Sequence, residues 1–144
     1  MSDRPDPEVF AQAVSQLSED DLAKQIDSIG HDDVLEQIFA GMQDAFRADK
    51  AKDASATIHY EIKADGDVKH WTVEVKDGSC KTFQGDPGEA RITLKVGIVD
   101  FVRLIFNQVQ GPQLFMRGRL KLKGDMMFAM QMQGWFDQPG RSSN

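Results

Sequence analysis

Residues 115–132 read Phe-Met-Arg-Gly-Arg-Leu-Lys-Leu-Lys-Gly-Asp-Met-Met-Phe-Ala-Met-Gln-Met. Gly118 and Gly124 bracket a short basic strand, in which Leu120 and Leu122 lie opposite Arg117, Arg119, Lys121 and Lys123. Gly124-Asp125 then opens a helix carrying Met126, Met127, Met130 and Met132 beside Phe128. Methionine is unbranched, flexible and polarisable, so a dense cluster suits a cavity whose contents vary in shape. A packed core favours Leu and Ile, which specify shape better. Any single methionine here reads equally well as core. Four of them with a phenylalanine in the seven positions 126–132 point to an apolar ligand rather than to bond-making chemistry.

Upstream, Ile98, Phe101, Val102, Ile105, Phe106 and Val109 recur at helical spacing, and Gln110-Gly111-Pro112 breaks that helix. From Ala54 to Val96 the period is two. Ile58, Tyr60 and Ile62 alternate with His59, Glu61 and Lys63, and Trp71, Val73 and Val75 alternate with His70, Thr72 and Glu74. Asp65-Gly66-Asp67, Asp77-Gly78 and Asp86-Pro87-Gly88 are turn signals. A short strand near Cys80 to Phe83 and one through Ile92, Leu94 and Val96 complete an expected antiparallel meander with one wet face.

The N-terminal third reads as helices. Asp6 and Pro7 start one that runs through Val9, Phe10, Ala13, Val14 and Leu17; Ser18 and Asp21 start a second that stops at Gly30. Asp33 and Glu36 form an expected capping box for a third, whose stripe is Leu35, Ile38, Phe39, Met42, Ala45 and Phe46. Ala48 to Asp53 is read as a charged linker, and the tail after Asp137 as frayed.

The bulk numbers exclude several classes. A formal charge of −6 disfavours nucleic-acid binding, which needs a cationic excess. No apolar run approaches the ~18 residues of a membrane span. The first residues lack a signal-peptide core, and the last, Arg141-Ser142-Ser143-Asn144, differ from the Ser-Lys-Leu peroxisomal address, so a cytoplasmic protein is expected. The single cysteine, Cys80, forms no internal disulfide and is expected to be a structural thiol. His31, His59 and His70 show no metal-ligand spacing and are expected at the surface. No nucleophile, dinucleotide or phosphate-loop motif is present, so no catalytic residue, metal or cofactor is assigned.

Together these segments resemble the sterol-carrier, or non-specific lipid-transfer, domain family. The resemblance rests on Glu89-Ala90-Arg91-Ile92-Thr93-Leu94 through Asp100-Phe101, on Phe115-Met116-Arg117-Gly118-Arg119-Leu120-Lys121-Leu122-Lys123-Gly124-Asp125-Met126, and on the order helix, meander, helix, strand, helix. It spans about Asp32 to Phe136. It implies an α+β fold, a mainly antiparallel five-stranded sheet covered by helices with an apolar tunnel between them. It also implies binding and carriage of fatty acids, fatty acyl-CoA, sterols or other lipids. The expected organisation is a helical extension over 1–30, the lipid-binding domain over 31–137 and a flexible tail over 138–144.

On this reading the ligand-lining candidates are Phe101, Ile105, Phe106, Phe115, Met126, Met127 and Met130. Arg117, Arg119, Lys121 and Lys123 are candidates for headgroup or membrane contact, though a basic strand face also serves simply as a solvated, pairing-resistant edge. Trp135 and Phe136 are expected to seal the core. Transient membrane contact and a homodimer are the partners left open. The rival readings are a small enzyme on an apolar substrate, with Asp100 or Tyr60 as its acid or base, and an enzyme-accessory or dimerisation module.

Overall fold

A computed structural model describes residues 14, 16–51, 54–106 and 108–135, apart from the side chains of Met130 and Gln133. The element order is α1 (Glu19–Ile29), α2 (His31–Ala45), α3 (Ala48–Ala51), β1 (Ala56–Ala64), β2 (Asp67–Lys76), β3 (Ser79–Gln84), β4 (Ile92–Gly97), α4 (Ile98–Ile105), α5 (Gly111–Met116), β5 (Leu120–Gly124), α6 (Met126–Met132) and a 3-10 turn, Gln133–Trp135. The strands form one five-stranded sheet in the order β3-β2-β1-β4-β5.

β1, β2 and β3 form the expected meander. Ala64 pairs with Asp67 across a two-residue turn in which Asp65 and Gly66 both take positive φ. That geometry matches the right-handed twist of a hairpin. The fourth strand departs from the meander. β4 runs parallel to β1, with Ile58 opposite Ile92 and Ile62 opposite Val96, and β5 closes the sheet antiparallel to β4. Residues 85–91 therefore cross from β3 over β2 and β1 before β4 begins. Thr72 Oγ1 donates to the Gly85 carbonyl at 2.8 Å, and the Arg91 N–H donates to the Thr57 carbonyl at 2.8 Å.

One face of the sheet carries Ile58, Tyr60, Ile62, Trp71, Val73, Val75, Ile92, Leu94, Val96 and Leu120, all buried. It is covered by Leu35, Ile38, Phe39 and Met42 of α2, Phe101 and Val102 of α4, and Phe128, Ala129 and Met132 of α6. α2 is also tied to β3, because Thr82 Oγ1 donates to the Phe39 carbonyl at 3.1 Å.

Several local expectations meet their structural outcome here. Ser18 caps α1 by accepting from the Asp21 N–H at 3.1 Å, and Gly30 ends it. The expected capping box of α2 does not form: the helix starts earlier, at His31, with Gly30 at its N-cap and no side-chain cap. The helix after β4 ends at Ile105 rather than Val109. A helix unforeseen from sequence, α5, follows, with Pro112 in its first turn and reciprocal Gln110–Gln113 capping. Ala48–Ala51 is a single helical turn rather than a linker. Val14 is buried and Leu17 packs against the core; the rest of the first expected helix, Lys52, Asp53, Phe136 and the tail lie outside the described residues.

Burial separates core from surface sharply. Phe39→Ala should cost about 3–5 kcal/mol in denaturant unfolding, as for a large buried ring. Met127→Ala, at a position 74% exposed, should stay within about 0.5 kcal/mol of wild type. Equal effects at the two positions would contradict this packing.

Candidate functional site

The layer between the sheet and its helices is built around aromatic rings. Phe39 of α2 stacks on Trp71 of β2 with centroids 4.6 Å apart and planes 6° from parallel. It also stacks on Phe101 of α4 at 5.5 Å and meets the edge of Tyr60 of β1 at 5.3 Å. Alternation places Tyr60 and Trp71 directly opposite each other on the same face. Within this apolar layer Trp71 Nε1 is buried and has no hydrogen-bond partner among the described residues. Buried indole N–H groups ordinarily find one.

The expected lining residues divide between layer and surface. Phe101 is fully buried within the ring cluster, Phe106 is buried and Ile105 is half-buried. Phe115 is exposed at the end of α5, beside Met116 at 86% exposure. On α6 the inward residues are Phe128, Ala129 and Met132, whereas Met126 and Met127 are exposed. The side chain of Met130 lies outside the described set. Trp135 packs edge-on against Phe128 at 5.4 Å, at the sealing position expected of it.

α6 is anchored at its first turn. Asp125 Oδ1 accepts from the Phe128 N–H at 3.0 Å, and its other oxygen accepts from Arg91 Nη2 at 3.2 Å. The Arg91 guanidinium also lies 4.3 Å above the Phe128 ring. Backbone closes the junction: the Asp125 N–H donates to the Arg91 carbonyl at 3.0 Å. Gly124, at φ 121°, is required there, since a Cβ would overlap the Arg91 carbonyl oxygen.

The basic residues are less uniform than their spacing implies. Arg117 caps α5 and lies outside the strand. Arg119 precedes β5 and is engaged: its Nε donates to Asp100 Oδ2 at 2.8 Å, and its Nη1 lies 3.4 Å from Glu19 of α1. Arg103 donates to the same Glu19 carboxylate at 2.6 Å. The Arg119 hydrogen bond, with the charges of both arginines, holds the Glu19 carboxyl below its ordinary range. Lys121 and Lys123 pair in register with Lys95 and Thr93. They stand on the sheet face opposite the aromatic layer, exposed at the edge strand. A groove of about 360 Å³, lined by Lys63, Asp65, Ile98, Val99, Asp100 and Arg119, opens beside this charged cluster.

The enzyme candidates sit in different settings. Asp100 occupies the first turn of α4 and is buried between Arg119 and Arg103, the latter at 3.5 Å. Burial pushes the Tyr60 hydroxyl well above its ordinary pKa, and pushes the Cys80 thiol up to about 11. A thiol so shifted is protonated at neutral pH and is a poor nucleophile.

Sequence reasoning missed the histidines. His59 is buried, not at the surface, because the crossover segment covers it. His59 Nε2 lies 2.9 Å from His70 Nδ1. Alternation already places both on one face of paired strands; the covering loop is what the sequence conceals.

Residues 35–137 match the SCP-2 sterol transfer family, and the chain belongs to that family. An oleate-induced peroxisomal protein of Candida maltosa is 30% identical over 118 residues, covering 80% of this chain and 93% of that protein. Mouse peroxisomal multifunctional enzyme type 2 is 32% identical over 84 residues, 57% of this chain, yet the match spans only 11% of that enzyme. The apo form of sterol carrier protein 2 from Yarrowia lipolytica superposes with a TM-score of 0.61 at 26% identity, covering 74% of this chain and 91% of that one. Helix α1, which contributes Leu22 and Ile26 to the core, precedes the family match.

The Asp125 cap has a pH signature. Its carboxyl is held below the ordinary value by the Phe128 N–H and by Arg91. The stabilisation is therefore fully present above the ordinary carboxylate pKa and is lost as pH falls through the lowered folded value. Asp125→Asn keeps an acceptor but loses the charge. The variant should melt below wild type at neutral pH, and the gap should close on acidification. A gap independent of pH would remove the charge from the account of this cap.

Proposed function

We propose that this chain binds hydrophobic ligands, such as fatty acids, fatty acyl-CoA and sterol-like lipids, between the inner face of its sheet and the covering helices, and carries them. The observation that carries this reading is the buried aromatic layer around Phe39 with a donor, Trp71 Nε1, that has no partner among the described residues. An apolar chain entering beside Phe101, Ile105 and Phe106 replaces ring contacts with its own, and an oxygen on the ligand satisfies the indole. Phe115, Met126, Met127 and Met130 are the proposed outer lining, where flexible side chains accommodate varied shapes. Membership of a sterol transfer family supports the reading, as does similarity to a sterol carrier protein.

Magnitudes favour breadth over selectivity. Each buried methylene contributes about 0.8 kcal/mol, so a long acyl chain contributes on the order of 10 kcal/mol gross. Association costs at least about 4 kcal/mol of that. An exposed ionic contact adds only about 0–1 kcal/mol. The chain therefore dominates affinity and the headgroup adjusts it.

The role is proposed as non-enzymatic. A protonated Cys80 thiol and a protonated Tyr60 hydroxyl support this, because neither is poised as a base at neutral pH, and Asp100 is engaged by Arg119 and Arg103. A second reading, presentation of ligand to a partner enzyme, is favoured by the match to one segment of a multifunctional enzyme. Among the described residues no helix is long and apolar enough to cross a membrane. The proposed residence is the cytoplasm; the peroxisomal Candida relative makes organelle fractionation the direct check. The proposed organisation remains a helical extension over 1–30, a lipid-binding domain over 31–137 and a tail over 138–144.

A fluorescent fatty-acid analogue should bind saturably at micromolar affinity or tighter. Trp71→Phe keeps the stack on Phe39 but removes the donor. It should melt near wild type while weakening fatty-acid binding about tenfold, as expected for one hydrogen bond to a charged group. Absence of saturable binding in folded wild-type protein rejects the carrier reading; unchanged affinity in Trp71→Phe rejects the anchor alone.

Arg117, Lys121 and Lys123 are proposed to meet anionic headgroups or membrane surfaces, with Arg119 engaged internally. Exposed charges are screened within about 10 Å at 0.1 M salt. Replacing Lys121 and Lys123 by Gln should slow ligand transfer to anionic vesicles at low salt and much less at high salt. Identical transfer rates at every salt concentration would leave the ridge as a solvated edge.

A further inference from the structure

His59, His70 and Asp86 converge on the sheet face away from the aromatic layer, beneath the crossover segment. We propose that these three residues form a binding site for a divalent transition-metal ion of the zinc, copper or nickel kind, independent of any lipid.

The two imidazoles come from neighbouring strands. His59 pairs with Thr72 and His70 with Glu61, so the histidines are diagonal neighbours on one face. Their rings lie with centroids 5.1 Å apart and planes 24° from parallel, and His59 Nε2 is 2.9 Å from His70 Nδ1. Two nitrogens bound at about 2.0–2.1 Å in a tetrahedral site stand roughly 3.3 Å apart. A small ring rotation converts the one spacing into the other.

Asp86 supplies the third group. One ligand atom from each of the three residues lies within 4.8 Å of the other two. Asp86 Oδ1 accepts from the Gly88 N–H at 2.8 Å and lies 4.0 Å from His59 Nδ1, the ring nitrogen turned away from His70. The turn at Gly88 thus holds the carboxylate over the histidines. His59 is almost fully covered, while Asp86 is 57% exposed. The donor set has a buried base and an open side through which an ion enters.

Ligand chemistry selects the metal class. Two neutral imidazoles and one carboxylate suit zinc, copper and nickel, whereas calcium and magnesium prefer all-oxygen sets. A second histidine–carboxylate cluster, Asp27, His31 and Asp65, has a different character. Its His31 Nε2 hydrogen-bonds Asp27 Oδ1 at 2.7 Å and lies 3.5 Å from Asp65, bridging the α1–α2 junction to the β1–β2 turn. It serves as the internal control.

The test is titration of the tag-free full chain with Zn²⁺ by calorimetry, with Co²⁺ absorption as a second readout of nitrogen and oxygen ligation. His59 is buried and its removal endangers the fold. The informative variants are therefore His70→Ala and Asp86→Asn, with folding checked by melting temperature, and His31→Ala as control. One Zn²⁺ should bind per chain at micromolar affinity or tighter. His70→Ala should weaken it by at least about tenfold, Asp86→Asn by about tenfold, and His31→Ala not at all. Three results overturn the proposal: no saturable binding, affinity unchanged in both His70→Ala and Asp86→Asn, or loss of binding in His31→Ala instead. The first two would leave the imidazole pair as a shared-proton hydrogen bond, and the third would move the ion to the control cluster.

Discussion

The stack of Phe39 on Trp71 is the contact on which the molecule is organised. It joins α2 to the second strand of the sheet, and Phe101 and Tyr60 close around it from α4 and β1. Four elements, two helices and two strands, thereby share one buried volume. Offset and edge-on ring pairs add roughly 0.5–1.5 kcal/mol each beyond area burial. An inner face made only of Ile, Val and Leu would pack as tightly, but it would offer no polar atom. Placing an indole there sets a polar donor, Trp71 Nε1, inside the apolar layer.

The sheet separates two environments. Its inner side is apolar and helix-covered. Its outer side carries Lys95, Lys121 and Lys123 toward the β5 edge and buried His59 and Thr72 beneath the crossover segment. Burial on the outer side has a different origin from burial on the inner one. It follows from β4 pairing parallel to β1, which obliges the chain to return across the strands after β3. The hydrogen bonds from Thr72 to Gly85 and from Arg91 to Thr57 record that path.

Much of this was legible in the sequence because it is local. Strand alternation, the Asp-Gly hairpins, the Ser18 cap and the amphipathic stripe of α2 each depend on residues within a few positions of one another. Phe39 and Phe101 read correctly as inward-facing for the same reason. What escaped is what depends on tertiary placement. The spacing of Arg117 and Arg119 suited a strand, but Arg117 caps a short helix and Arg119 turns toward Asp100 and Glu19. The methionines of α6 formed one group by composition. In the fold Phe128 and Met132 turn inward and Met126 and Met127 outward, because the Asp125 cap fixes the rotation of the helix. His59 was assigned to water since nothing local announces a loop passing over it.

Arg91 is where the two sides of the sheet meet. Its backbone N–H terminates the crossover segment on Thr57, its carbonyl receives the Asp125 N–H, and its guanidinium spans the Asp125 carboxylate and the Phe128 ring. Four residues, Pro87 to Ala90, separate Asp86 from this junction. Gly124 fits this junction because a Cβ there would overlap the Arg91 carbonyl oxygen. The end of the outer-face loop and the first turn of the inner-face helix therefore meet at one residue, Arg91.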